Sequence, residues 1–98
     1  MFYVYVLRSL KDGKLYTGFA PDIKKRLVKH NEGRVFSTKN RRPLKCVYVE
    51  ICIDKQDAMD REKYLKSGIG KRFIKNRLFY YFKNSIIKPV ENTQFPTG

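Results

Sequence analysis

The sequence has no tryptophan, one histidine, two cysteines and only nine acidic residues among 98 positions. Each shortage excludes something. A zinc-type site needs more Cys or His than His30, Cys46 and Cys52 provide. Cys46 and Cys52 stand at even spacing in one apolar stretch. That spacing puts them on the same face of a strand, about 20 Å apart and beyond disulfide reach. They read as small core residues in a reducing compartment. No apolar run approaches the roughly 18 residues of a membrane span, and no signal peptide is expected. No stretch reads as a basic amphipathic anchor, so a membrane is not an expected partner and a soluble, cytoplasmic protein is. Internal repeats and low-complexity tracts are absent.

What is abundant is positive charge. Twenty-two Lys and Arg give a net charge of +13 and a pI near 10.0. Such a surplus favours association with polyanions through counterion release, and nucleic acid is the expected partner. The charge is uneven along the chain. Between Lys24 and Lys45 the only acid is Glu32, and eight bases separate Glu62 from Glu91. From the first stretch Lys24, Lys25, Lys29, Lys39, Arg41 and Arg42 are expected to contact phosphates. Lys71, Arg72 and Lys75 are expected to do so from the second. The apolar fraction of 42% and the seven Tyr and seven Phe imply one small folded domain.

Residues 2–8 are β-branched and aromatic and read as a strand. Asp12-Gly13 supplies a two-residue turn into a second strand over 14–19. Pro21-Asp22 opens a helix that Asn31-Glu32-Gly33 closes, with Ile23, Leu27 and Val28 at helical spacing. After a basic loop over 34–43 comes a strand over 44–53. Asp54 and Asp57 then begin a helix reaching about Lys66. Ser67-Gly68-Ile69-Gly70 breaks it, and a third helix is expected over 71–82. The order β-β-α-β-α-α is that of a small α/β sandwich, with residues 1–82 as the domain and 83–98 as a C-terminal tail.

Some polar residues fall where chemistry is plausible. Ala58, Glu62 and Leu65 share a helix face. A carboxylate in such a stripe needs a basic partner or a metal ion. Arg26 and His30 are four residues apart beside the Ile23 and Leu27 stripe. With a two-residue turn placing Lys11 opposite Lys14, Tyr5 and Tyr16 project from one side of the hairpin, next to Gly18. A glycine there leaves room for a ligand. Ser67-Gly68-Ile69-Gly70-Lys71 lacks phosphate-loop spacing and reads as a helix–helix turn.

Tyr3-Val4-Tyr5, followed by Tyr16-Thr17-Gly18, resembles the paired motif of the GIY-YIG nuclease superfamily. Asp22-Ile23-Lys24-Lys25-Arg26-Leu27, His30-Asn31-Glu32-Gly33, Pro43, Val47-Tyr48-Val49-Glu50 and Ala58 to Lys66 extend the resemblance in order, over residues 2 to about 78. It is closest to the short stand-alone bacterial members and to the N-terminal domain of the excision-repair endonuclease subunit. The resemblance implies a three-stranded antiparallel sheet flanked by helices. It also implies a catalytic set of Tyr5, Tyr16, Arg26, His30 and Glu62. Tyr16 would be the general base, Arg26 would stabilise charge on the scissile phosphate, and His30 would assist proton transfer. Glu62 would bind one Mg²⁺ or Mn²⁺ ion. Tyr3 and Thr17 depart from the motif letters without touching chemistry. Phe19 stands where some members carry a lysine, and Asn76 is the nearest match to an asparagine that many members use.

The implied function is metal-dependent endonucleolytic hydrolysis of DNA with low sequence specificity, in repair or recombination. RNA is not excluded as a substrate. The alternative is a nucleic-acid-binding module with little or no cleavage; a third reading is a scaffold that docks on a protein partner.

Overall fold

The structure, a computed structural model, describes residues 1–85. Strands β1 (Phe2–Ser9), β2 (Leu15–Ala20) and β3 (Leu44–Cys52) form one antiparallel sheet in the order β2-β1-β3. The helices are α1 (Ile23–Asn31), α2 (Lys55–Lys66), α3 (Gly68–Arg77) and α4 (Phe79–Lys83), and a 3₁₀ turn spans Lys39–Arg41. The expected architecture and element order hold, with the third helix divided in two.

β1 is the central strand and is covered on both faces, which is why its sequence is apolar without alternation. Val4 and Val6 pack with Ala58, Leu65, Ile74 and Phe82 from α2, α3 and α4. On the other face Tyr5 and Leu7 pack with Ala20 and Leu44, joined by Ile23 and Leu27 of α1. Each fully buried aliphatic side chain contributes roughly 1.5–3 kcal/mol.

The turn between β1 and β2 is wider than two residues. Tyr5 lies opposite Gly18, whereas Lys11 opposite Lys14 would have set it opposite Ala20. Ser9 widens the turn. Its hydroxyl accepts from the amides of Lys11 and Asp12 at 3.1 and 3.2 Å and donates to the Arg41 carbonyl at 2.7 Å. Asp12 accepts from the Lys14 amide at 2.9 Å and pairs with Arg41 at 2.8 Å, while Gly13 supplies a φ of 77°. The displacement is an even number of residues, so Tyr5 and Tyr16 keep a common face.

β3 carries a bulge: Val6 pairs with Tyr48 but Leu7 with Cys46, leaving Val47 as the extra residue. The bulge overturns the expected placement of the cysteines. Cys46 joins the α1 side of the sheet and Cys52 the opposite side, because even spacing keeps a face only on an unbroken pleat.

Asp22 caps α1 by accepting from the Lys25 amide at 3.1 Å. At the far end the Asn31 side chain takes the place of a strand neighbour. It accepts from the Leu44 amide at 2.9 Å and donates to the Leu44 carbonyl at 3.1 Å. This fastens α1 to the start of β3. Ser67 ends α2 and caps α3 through the Gly70 amide, so α3 starts at Gly68 rather than near Lys71. A Cβ at Gly70 would collide with the Tyr64 carbonyl. Leu78, at φ −105° and ψ 32°, separates α3 from α4. Arg8 is fully buried, with its guanidinium 4.9 Å from the Phe82 ring and 2.6 Å from the Ser85 hydroxyl. Of the expected tail, Lys83 closes α4 and residues 86–98 lie outside the described residues. No helix among the described residues is long and apolar enough to cross a membrane.

Candidate active site

Tyr5 sits mid-way along β1, with its ring lying over Gly18 of the neighbouring strand. A Cβ at position 18 would stand 2.5 Å from the Tyr5 hydroxyl and 2.6 Å from Cζ. The space at Gly18 is therefore filled by the tyrosine itself and not left for a ligand, as the strand pattern alone implied.

The Tyr5 hydroxyl lies 2.9 Å from Nε2 of His30 and accepts from Nε of Arg26 at 3.4 Å. Arg26 and His30 are one turn apart on α1, so both reach the same point on the sheet. Nδ1 of His30 is 2.8 Å from the Thr38 hydroxyl, and the two rings of Tyr5 and His30 meet edge-on at 5.7 Å. Tyr5, His30 and Thr38 are 2%, 5% and 1% exposed, so the chain of contacts is dry.

That burial sets the protonation. Burial raises the Tyr5 pKa, opposed by the hydrogen bond and charge of Arg26 and aided by the charges of Glu62 and Cys46. Burial also lowers the His30 pKa, reinforced by the positive charges of Arg26 and Lys29. A neutral His30 keeps one nitrogen as an acceptor. With Arg26 donating to the Tyr5 oxygen, the chain closes when Tyr5 donates to Nε2 and Nδ1–H donates to Thr38. This tautomer is assigned from the hydrogen-bond pattern.

Glu62 projects from α2 between Ala58 and Leu65, both buried, and its own side chain is 22% exposed. Its Oε2 is 3.3 Å from Nζ of Lys66, one turn along. The basic partner weighed against a metal is thus present, in an exposed and weak form. Among the described residues no group of three or more His, Cys, Asp or Glu comes together. A hard divalent ion held by one carboxylate and otherwise by phosphate and water oxygens still suits a half-exposed Glu62.

Tyr16 lies opposite Leu7 and on the Tyr5 face. Its hydroxyl makes no hydrogen bond among the described residues. With Thr17, Ser37, Lys66 and Lys71 it lines a cleft at the outer edge of β2. Tyr5, Arg26 and His30 therefore touch directly, Glu62 acts on Tyr5 through its charge, and Tyr16 stands next to the cleft that Lys66 shares.

The basic residues divide by role. Lys24, Lys25 and Lys29 surround a shallow hollow on the outer side of α1 together with Arg34. Arg41 holds the β1–β2 turn through Asp12 and Ser9. Arg42 packs on Gly33 and donates to the Lys39 carbonyl at 2.8 Å. Lys71 and Arg72 are exposed, whereas Lys75 is half-buried. Phe19 packs into the Val4 cluster, facing away from Tyr5, and Asn76 is exposed on α3. Thr38 escaped the sequence reading, since nothing in a polar loop marks one hydroxyl as the partner of a histidine eight residues earlier.

Residues 1–75 match the family model described as the GIY-YIG catalytic domain. Among curated relatives, a UPF0213 protein of Staphylococcus saprophyticus is 47% identical over 74 residues, which covers 74% of this chain and 89% of the relative. A UPF0213 protein of Staphylococcus aureus is 42% identical over 79 residues, covering 76% and 95% respectively. Among solved structures, the solution NMR structure of the UPF0213 protein BH0048 from Bacillus halodurans is 35% identical with a TM-score of 0.47. It spans 76% of this chain and 82% of that one.

Proposed function

The chain belongs to the GIY-YIG family of the nuclease superfamily, and on that premise we propose that it hydrolyses DNA phosphodiester bonds using one Mg²⁺ or Mn²⁺ ion. The observation that carries this reading is the Tyr5 hydroxyl held between Arg26 and a neutral His30. Arg26 uses Nε on Tyr5 and makes no other side-chain hydrogen bond among the described residues, and its two terminal nitrogens are the groups proposed to meet phosphate oxygens. A fixed guanidinium of this kind stabilises charge that develops on a phosphoryl group.

Tyr16 is the proposed acceptor of the attacking water's proton. Its side chain lines the cleft together with Lys66 and Lys71, and a general base at this edge would take a proton from a water held against the phosphate. In the proposed step Tyr16 first releases its phenolic proton to solvent and then takes a proton from the attacking water as that water's oxygen bonds to phosphorus. The P–O3′ bond breaks, and the leaving 3′ oxygen takes up a proton from solvent water, giving a 5′ phosphate and a 3′ hydroxyl. Tyr5, His30 and Thr38 keep Arg26 in place during this exchange. A divalent ion bound at Glu62 would supply charge neutralisation at the phosphate.

A domain of this size offers little surface for base readout, so the proposed cleavage by this domain has low sequence specificity and suits repair or recombination intermediates. Incubation with Mg²⁺ or Mn²⁺ and plasmid, single-stranded or branched DNA, comparing wild type with Glu62→Ala, tests the reading. Cleavage by wild type alone is the expected result. A second reading, a domain that grips nucleic acid without cutting it, is favoured by the ion pair that occupies Glu62. Binding intact in both proteins with no cleavage of any substrate would establish that alternative.

A further inference from the structure

Phe36 is 86% exposed, yet it belongs to a turn that the site holds in place. The Val35 carbonyl accepts from the amides of Thr38 at 3.2 Å and Lys39 at 3.0 Å, which leaves Phe36 and Ser37 at the tip. Thr38 at the base of that turn is buried and bonded to His30. Ser37 borders the cleft that Tyr16 lines. The Phe36 ring is therefore displayed next to the site by the residue that completes the Tyr5–His30 chain.

Its surroundings are charged in one sense. Nζ of Lys39 lies 4.9 Å from the ring centroid, and Lys66 and Lys71 stand on the neighbouring cleft. An aromatic face flanked by lysines is how sequence-tolerant single-strand binders hold a base while neutralising its phosphates. The bases of an intact duplex are already stacked on each other and present no free face.

We propose that Phe36 is a stacking platform for an unpaired base of the bound strand, so that the site selects single-stranded or locally unpaired DNA. The proposal rests on the nuclease reading of the adjacent Tyr5–Arg26 cluster. Binding without metal separates the two.

Fluorescence anisotropy in EDTA, with a labelled 12-nucleotide oligothymidine and a duplex of the same length, is the deciding measurement. Wild type is expected to bind the single strand more tightly than the duplex. Phe36→Ala is expected to weaken the single-strand complex by about 5- to 150-fold, the scale of one base–aromatic stack, and to change duplex binding less than about two-fold. Phe36→Trp should restore the single-strand affinity. Equal losses on both ligands, an unchanged single-strand Kd in Phe36→Ala, or no single-strand binding by wild type would overturn the platform. Absence of cleavage with Mg²⁺ alongside the expected binding pattern would overturn the nuclease reading and leave the platform standing.

Discussion

The hydroxyl of Tyr5 and Nε2 of His30 meet at 2.9 Å across 25 residues of sequence, and this contact joins the central strand to α1 at the site. It is buried, it is shared with Arg26, and it positions the guanidinium proposed to meet the phosphate.

Removing that hydroxyl while keeping the ring isolates its role. Tyr5→Phe leaves His30 and Arg26 without a shared partner, so the fold should lose about 1–3 kcal/mol. Cleavage should fall by about 10²-fold. Gly18→Ala acts on the same contact from below, since its Cβ would overlap the Tyr5 ring. It should cost about 1–3 kcal/mol and displace the hydroxyl. Thermal melts and initial cleavage rates read both effects. A Tyr5→Phe enzyme with wild-type rate would contradict the positioning of Arg26 by Tyr5.

The buried neutral His30 makes stability depend on acidity. Its pKa in the fold lies below the value it has in the unfolded chain, about 6.5. Above that value neither state is protonated and His30 has no effect. As pH falls below it, the unfolded chain takes up a proton that the folded chain resists, so stability declines toward the lower folded pKa. The decline between pH 7 and 5 should shrink in a His30→Gln variant. Parallel melting profiles for the two proteins over that range would disprove it.

Glu62 should separate stability from activity. Its ion pair with Lys66 is an i, i+4 contact to an exposed lysine, worth about 0.3–0.5 kcal/mol. Glu62→Gln should therefore melt close to wild type while losing cleavage, and added Mg²⁺ should not recover it. A large fall in melting temperature would mean that Glu62 is chiefly structural.

Asn31 tests the join between α1 and β3. Asn31→Ala leaves the Leu44 amide and carbonyl without their side-chain partner, at a cost of about 1–3 kcal/mol. For a domain of this size the melting temperature should drop by about 4–8 °C per kcal/mol. Asn31→Asp should recover part of the loss by accepting from the Leu44 amide. A melting temperature unchanged in Asn31→Ala would show that the bridge adds nothing.

Most element boundaries were legible because each carries a local signal. Asp22 and Asp54 cap the helices that follow them, and Gly33 has the positive φ expected past the end of α1. The β1–β2 turn misled because its width depends on Ser9 and Asp12 reaching Arg41, a partner far along the chain. The split at Leu78 was hidden because 71–82 keeps a helical pattern on both sides of the break.

The sequence by itself determined the family, the strand and helix order, the shared face of Tyr5 and Tyr16, and the basic character of the surface. These follow from residue type and short-range period, which act before the chain closes on itself. Only the tertiary structure decided that Val47 is a bulge separating Cys46 from Cys52, that Gly18 makes room for Tyr5, and that Thr38 completes the His30 chain. Those depend on which distant side chains compete for the same buried space and the same hydrogen bond, and no local pattern encodes that competition.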